Sequence, residues 1–127
     1  MRKLKLFSVL MCLFIGIGQM WAADVEFTAG TETSSTTTLT KSGITITVTS
    51  GTFNRTDNYR CYANNTMTIS STVGNIVNIA FTFSGTNTGG WSSSYQPQST
   101  SWTSASASAQ ARITKIVVTV GSSQPTV

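Results

Sequence analysis

Side chains able to do chemistry are scarce in this chain. Its 127 residues contain no histidine, two cysteines and four carboxylates: Asp24, Glu26, Glu32 and Asp57. General acid–base catalysis, nucleophilic catalysis and metal binding draw mainly on His, Cys, Asp and Glu, so the inventory argues against an enzyme. A two-carboxylate glycosidase would have to recruit its pair from those four residues, and none of them stands in a recognisable motif. Cys61 has Arg60 beside it, a neighbour that favours thiolate, but no base accompanies the pair. A buried inert thiol is the preferred reading.

Aromatic rings are the other provision. Trp91, Tyr95 and Trp102 lie in or next to a polar, glycine-bearing stretch, residues 85–101. Rings exposed there can stack on the apolar face of a sugar while Asn, Ser and Arg groups bond its hydroxyls. The competing reading is that the rings fill the core beneath that loop. For Trp102 the core is preferred, because tryptophans are highly buried on average, whereas Trp91 and Tyr95 stand open between the two. Tyr59 and Tyr62, flanking Arg60 and Cys61, read as packing residues with satisfied phenols. Arg60 and Arg112 read as solvated or paired. The triplets Asn54-Arg55-Thr56 and Asn64-Asn65-Thr66 have the form of glycosylation acceptors and read as turns.

The elements that must hold these residues begin after a leader. Met1-Arg2-Lys3-Leu4-Lys5 is basic, Leu6 to Gly18 is apolar, and Gln19-Met20-Trp21-Ala22-Ala23 precedes the first acid. This is the layout of a secretory signal peptide, with an apolar run too short for a hydrocarbon core that needs roughly 20 residues. Cleavage is expected after Ala22, with Ala23 as the alternative. Cys12 sits in the middle of the apolar run, which argues against lipidation. The expected organisation is therefore a signal peptide over 1–22, a domain over 23–120 and a linker or tail over 121–127.

Removing the leader changes the electrostatics. The whole chain carries +4, but Arg2, Lys3 and Lys5 leave with the leader, and Lys41, Arg55, Arg60, Arg112 and Lys115 then face four carboxylates for a net +1. No basic stripe remains to neutralise a run of phosphates, so nucleic acid is excluded as a partner. A single remaining cysteine cannot close an internal disulfide, and stability has to come from the core. A remainder of roughly 105 residues fits one domain.

Periodicity assigns the class. Ile44-Thr45-Ile46-Thr47-Val48-Thr49 alternates apolar and hydroxyl residues, as a half-buried strand does. In Ile76 to Ser84, the residues Val77, Ile79, Phe81 and Phe83 share one parity and predict the central strand. From Arg112 to Val120 apolar residues occupy both parities, which predicts burial on both faces or a bulge near Lys115; the bulge is preferred because Lys115 needs an exit to water. Val25 to Thr28, Tyr59 to Tyr62 and Met67 to Ser71 are shorter strand candidates, with turn chemistry between them. Residues 30–40 and 85–101 read as polar loops, and Ser104 to Ala109 as a strand with a small inner face. No segment after the leader has a helical period. An all-β, antiparallel β-sandwich or jelly roll follows.

The order of segments also carries a resemblance. Ser42-Gly43 through Ser50-Gly51, Tyr59-Arg60-Cys61-Tyr62, Met67 to Ser71, Gly74 to Ser84, Trp102-Thr103 and Gln110 to Val120 together resemble a β-sandwich module common in secreted proteins of gut Bacteroidetes. The resemblance spans nearly the whole chain after the leader. It implies a galactose-binding-like jelly roll of the sort found in carbohydrate-binding modules and adhesive appendages, usually noncatalytic and mostly without a defined ligand. The Ser/Ala run Ser104–Ala109 departs from the pattern, where relatives have a strand with large apolar residues. On this basis the expected function is a secreted, noncatalytic carbohydrate-binding module with Trp91, Tyr95 and Trp102 as ligand-binding residues and a neutral glycan as partner. No cofactor, catalytic residue or membrane anchor is expected after leader cleavage; Asp24 or Glu26 is the provision for a structural calcium. The alternative is a structural spacer or adhesin domain of a cell-surface protein with no small-molecule ligand. Exposed rings would favour binding and buried ones the spacer.

Overall fold

The computed structural model describes residues 20–32 and 35–123; most of the expected leader, and the end of the expected tail, lie outside the described residues. Ten strands and no helix occur among the described residues: β1 (Met20–Thr28), β2 (Thr38–Lys41), β3 (Ile44–Val48), β4 (Gly51–Thr52), β5 (Tyr59–Cys61), β6 (Met67–Ser71), β7 (Asn75–Thr88), β8 (Ser94–Tyr95), β9 (Ser101–Thr103) and β10 (Ala111–Ser123). They form two antiparallel sheets. The larger runs β4-β5-β10-β7-β8 with β1 also on β10, and the smaller runs β2-β3-β6-β9. One apolar core lies between them, as expected for a β-sandwich, with Val25, Phe27, Ile79, Phe81, Ile113 and Val118 from the larger sheet and Leu39, Ile46, Val48, Met67 and Ile69 from the smaller.

Alternation alone explains the smaller sheet. In β3 the residues Ile44, Ile46 and Val48 are buried, while Thr45 and Thr47 face out at intermediate exposure. β2 meets β3 through a two-residue hairpin, Lys41 opposite Ile44, in which Ser42 and Gly43 both have positive φ (51° and 84°). That is the backbone a tight hairpin demands and glycine adopts without strain. β2 overlaps the end of the stretch 30–40 expected to be a polar loop; four residues with Leu39 as the single apolar one give too short a pattern to detect.

Besides a register shift between Ala111 and Ile113, the pairing of β10 with β7 carries two bulges. Ile113 opposes Phe83 and Lys115 opposes Thr82, so Thr114 is an extra residue on β10, and the buried set changes from Ala111 and Ile113 to Ile116, Val118 and Val120. The expected bulge near Lys115 is thus present. A second irregularity lies at the other end, where Thr119 opposes Asn78 and Val120 opposes Ile76, leaving Val77 as the extra residue on β7. Ile76 therefore turns into the core and Val77 does not, against the expectation that Val77 shares the face of Ile79 and Phe81.

The first and last described strands pair with each other. β1 opposes Lys115–Ser123 along its whole length, with Met20 opposite Ser123 and Ala22 opposite Gly121. The first strand thus begins inside the segment expected to leave as leader, and β10 runs into the segment expected to be a linker, because each supplies the other's ladder partners. The Ser/Ala run is a correction. β9 ends at Thr103 and residues 104–110 form a loop, not a strand. The Ser104 hydroxyl accepts the Met67 N–H at 2.9 Å, and Ala107 exchanges backbone bonds with Asn64 and Asn65. Small side chains let that loop lie directly on the β5–β6 turn.

Phe81 ties the rings together, 5.7 Å from Phe83, 6.0 Å from Trp91, 6.3 Å from Tyr95 and 6.0 Å from Trp102 between centroids. Truncating a buried aromatic costs about 3 to 5 kcal/mol. Phe81→Ala should lose that much in urea unfolding, and a loss below about 1 kcal/mol would contradict the packing described.

Candidate functional site

The segment from Ser92 to Thr103 closes one side of the sandwich. Phe81 N–H donates to Ser93 O, Tyr95 of β8 opposes Ile79 on the larger sheet, and Trp102 of β9 opposes Ile69 on the smaller. Between them the chain bonds Ile76 through Gln98 and Ser99, then Ser71 through Thr100. Tyr95 and Trp102 share their faces with buried isoleucines, so both rings point into the seam between the two sheet edges. Their centroids are 4.8 Å apart with planes inclined at 41°, and both are partly buried.

The polar tips of these rings differ. The Tyr95 hydroxyl accepts the Ser92 N–H at 2.8 Å, leaving its own proton to donate. The Trp102 indole N–H has no acceptor among the described residues. One residue on from Tyr95, Gln96 donates to Asn78 Oδ1 at 2.7 Å, which leaves Gln96 Oε1 and Asn78 Nδ2 free on the outer face of β7 and β8.

Trp91 is placed differently from the expectation of an exposed loop ring. It is 5% exposed, packs on Phe81, and its indole N–H donates to Ala105 O at 3.0 Å. The turn that carries it, Thr88 to Trp91, has Gly89 and Gly90 at positive φ, and Ser108 N–H bonds back to Gly89 O. Trp91 thus fills the core under the loop and has its one polar atom satisfied. Of the three rings expected to bind, Tyr95 and Trp102 are brought together with some surface open, and Trp91 supports them through Phe81.

The carboxylates are dispersed and engaged. Asp24 accepts from Thr119, Glu26 from Thr28, with Lys115 Nζ 3.7 Å away, Glu32 from Thr31 and Lys41, and Asp57 from Arg55 by a two-point contact of 2.8 Å each. Asp24 and Glu26 share the outer face of β1 two residues apart, roughly 7 Å by strand geometry, on an open sheet surface. The Arg55 guanidinium holds the Asp57 carboxyl well below the usual range. No group of three or more metal-ligating residues occurs among the described residues.

Two interior groups complete the inventory. Cys61 is buried and free, and burial pushes its thiol up to about 11, which makes it a poor nucleophile. Tyr59 is 1% exposed and its hydroxyl has no hydrogen-bond partner among the described residues. The expected satisfied phenol is therefore corrected: the ring packs edge-on against Phe53 at 5.5 Å while its oxygen finds no donor or acceptor among the described residues.

One feature escaped the sequence altogether. Arg60 on β5 and Arg112 on β10 are direct cross-strand partners, both on the outer face because Tyr59, Cys61, Ala111 and Ile113 point inward. Strand alternation could place each of them outward, but no local pattern gives their register.

Comparisons with family models, with characterised proteins and with solved structures return no match to this chain. No helix among the described residues is long and apolar enough to cross a membrane.

Two measurements follow. Tyr59→Phe removes a desolvated, unbonded hydroxyl and should leave stability unchanged or raise it by about 1 kcal/mol in urea unfolding; a loss above about 1 kcal/mol would mean the oxygen has a partner. Cys61 titrates higher folded than its unfolded value of about 8.5, so its contribution is complete below that pH and declines as pH rises toward about 11. The urea midpoint should fall between pH 8.5 and 10, and Cys61→Ala should flatten that slope.

Proposed function

We propose that this chain is a noncatalytic module of an exported protein, a galactose-binding-like jelly roll that binds a neutral glycan weakly at Tyr95 and Trp102. The observation that carries the reading is the ring pair itself: two partly exposed aromatics 4.8 Å apart, with the Trp102 N–H and the Tyr95 O–H both free to donate. A sugar ring offers an apolar face for such rings and hydroxyls for such donors. Trp91 acts in this reading as the floor of the seam and not as a contact. The scarcity of bases and nucleophiles supports a noncatalytic role, and the leader supports export, to the periplasm, cell surface or beyond.

The burial of Trp91 favours a second reading, a structural spacer or adhesin domain with no small-molecule ligand. Intrinsic tryptophan fluorescence during titration with a panel of neutral oligosaccharides separates the two. Under the binding reading the signal saturates at millimolar concentration and is the same at low and high salt, since neutral contacts are barely screened. Trp102→Phe keeps packing against Phe81 but removes the N–H and part of the stacking surface; it should weaken binding at least tenfold with a small change in thermal midpoint. No saturable response across the panel would leave the spacer.

A further inference from the structure

We propose that the outer face of the larger sheet at Arg60 and Arg112 is a binding site for an oxyanion, such as a sulfate or carboxylate group carried on an acidic saccharide. The inference does not rest on the Tyr95–Trp102 reading and concerns a different face of the molecule. Residues directly opposite on antiparallel strands have Cβ atoms roughly 5 Å apart, and like charges there repel. Arg60 and Arg112 occupy such a pair.

The charges around them do not cancel that repulsion. Lys41 has Glu32 at 2.9 Å, and Lys115 has Glu26 at 3.7 Å. Asp57 is held by Arg55 through both oxygens and reaches Arg60 only at 3.9 Å. Arg112 has no carboxylate partner among the described residues. Arg55 and Arg60 thus share one carboxylate that is already committed to Arg55, and Arg112 is left as the cation with no carboxylate against it among the described residues.

Each guanidinium is also oriented. Arg60 Nε donates to Asn58 Oδ1 at 2.9 Å, and Arg112 Nε donates to Gln110 Oε1 at 2.6 Å. In both cases the amide stands two residues earlier, just before the strand begins. The side-chain amides fix the two Nε–H groups and leave the terminal NH2 groups, apart from the distant Asp57 contact, without acceptors among the described residues. Terminal N–H pairs of guanidinium match carboxylate or sulfate oxygens in two-point contacts, which lysine would not provide. Tyr62 and Thr52, bonded hydroxyl to hydroxyl on the same face, flank the pair. An oxyanion between the arginines replaces a repulsion with two attractions.

The test is NMR titration of the arginine Nε–H resonances of the full chain with inorganic sulfate, with dextran sulfate and with uncharged dextran. The expected result is saturable shifts at Arg60 and Arg112 with a sulfated probe, none with dextran, and affinity that falls as sodium chloride rises. Saturation by inorganic sulfate identifies a site for the free ion, whereas saturation by dextran sulfate alone identifies a saccharide-borne group; either supports the site. Arg112→Gln should lose affinity at least tenfold and keep or raise the thermal midpoint, because it relieves the repulsion. Arg112→Lys, which retains the charge, should weaken binding by an intermediate factor. No saturable shift with either sulfated probe, equal affinity in Arg112→Gln, or a marked fall in its thermal midpoint would overturn the proposal.

Discussion

β10 serves three neighbours, and the bulge at Thr114 is what lets it do so. On one side it pairs with β7; on the other, β5 holds Ala111–Ile113 and β1 holds Lys115–Ser123. The change from β5 to β1 falls at the extra residue, whose carbonyl accepts the Ala29 N–H at 3.0 Å and whose hydroxyl donates to Thr82 O. Strand alternation has a period of two, so without one extra residue either Ile113 or the run Ile116, Val118 and Val120 would face water. Burial of four large apolar side chains at roughly 1.5 to 3 kcal/mol each is the driving force that holds the bulge in place.

The two candidate sites are consequences of that arrangement. Because β8 and β9 are very short edge strands on opposite sheets, the chain from Ser92 to Thr103 must cross the gap between the layers, and the inward rings at Tyr95 and Trp102 close it. An edge ring cannot be covered on all sides, so some of its surface stays open. The Arg60–Arg112 pair arises in the same way from β5 meeting the first residues of β10, before the bulge reverses which parity faces out. Were the bulge to precede Arg112, the even-numbered parity would already face inward there and Arg112 would share a face with the core, an arrangement that burial of an unpaired charge forbids.

Polar satisfaction follows similar logic. The Ser/Ala run leaves the sheet at Ser104 because its hydroxyl can take the place of a backbone acceptor for Met67 N–H. That loop in turn offers Ala105 O to the Trp91 indole. A larger residue at the buried Ala107 would lift the loop from Asn64 and Asn65 and strain the bond that Ala105 O offers Trp91. Tyr59 is the exception to this economy, its hydroxyl unpartnered among the described residues.

Local pattern was enough for much of this. The strands Ile44–Val48 and Met67–Ser71, the bulge near Lys115, the buried Cys61 and the absence of helix among the described residues are all legible because alternation and side-chain type report directly on burial at a single strand. The short strands at Thr38–Lys41, Gly51–Thr52, Ser94–Tyr95 and Ser101–Thr103 were not legible, since two to four residues carry too little period to rise above a Ser/Thr-rich background. Whether a loop tryptophan is core or surface was equally hidden, because Trp91 and Trp102 sit in similar local sequence and differ only in what lies above them. Composition and alternation determine that the chain makes antiparallel sheets around an apolar core. The identity of each strand's neighbour, and with it the meeting of Tyr95 with Trp102 and of Arg60 with Arg112, is fixed by long-range register, which depends on contacts between residues dozens of positions apart.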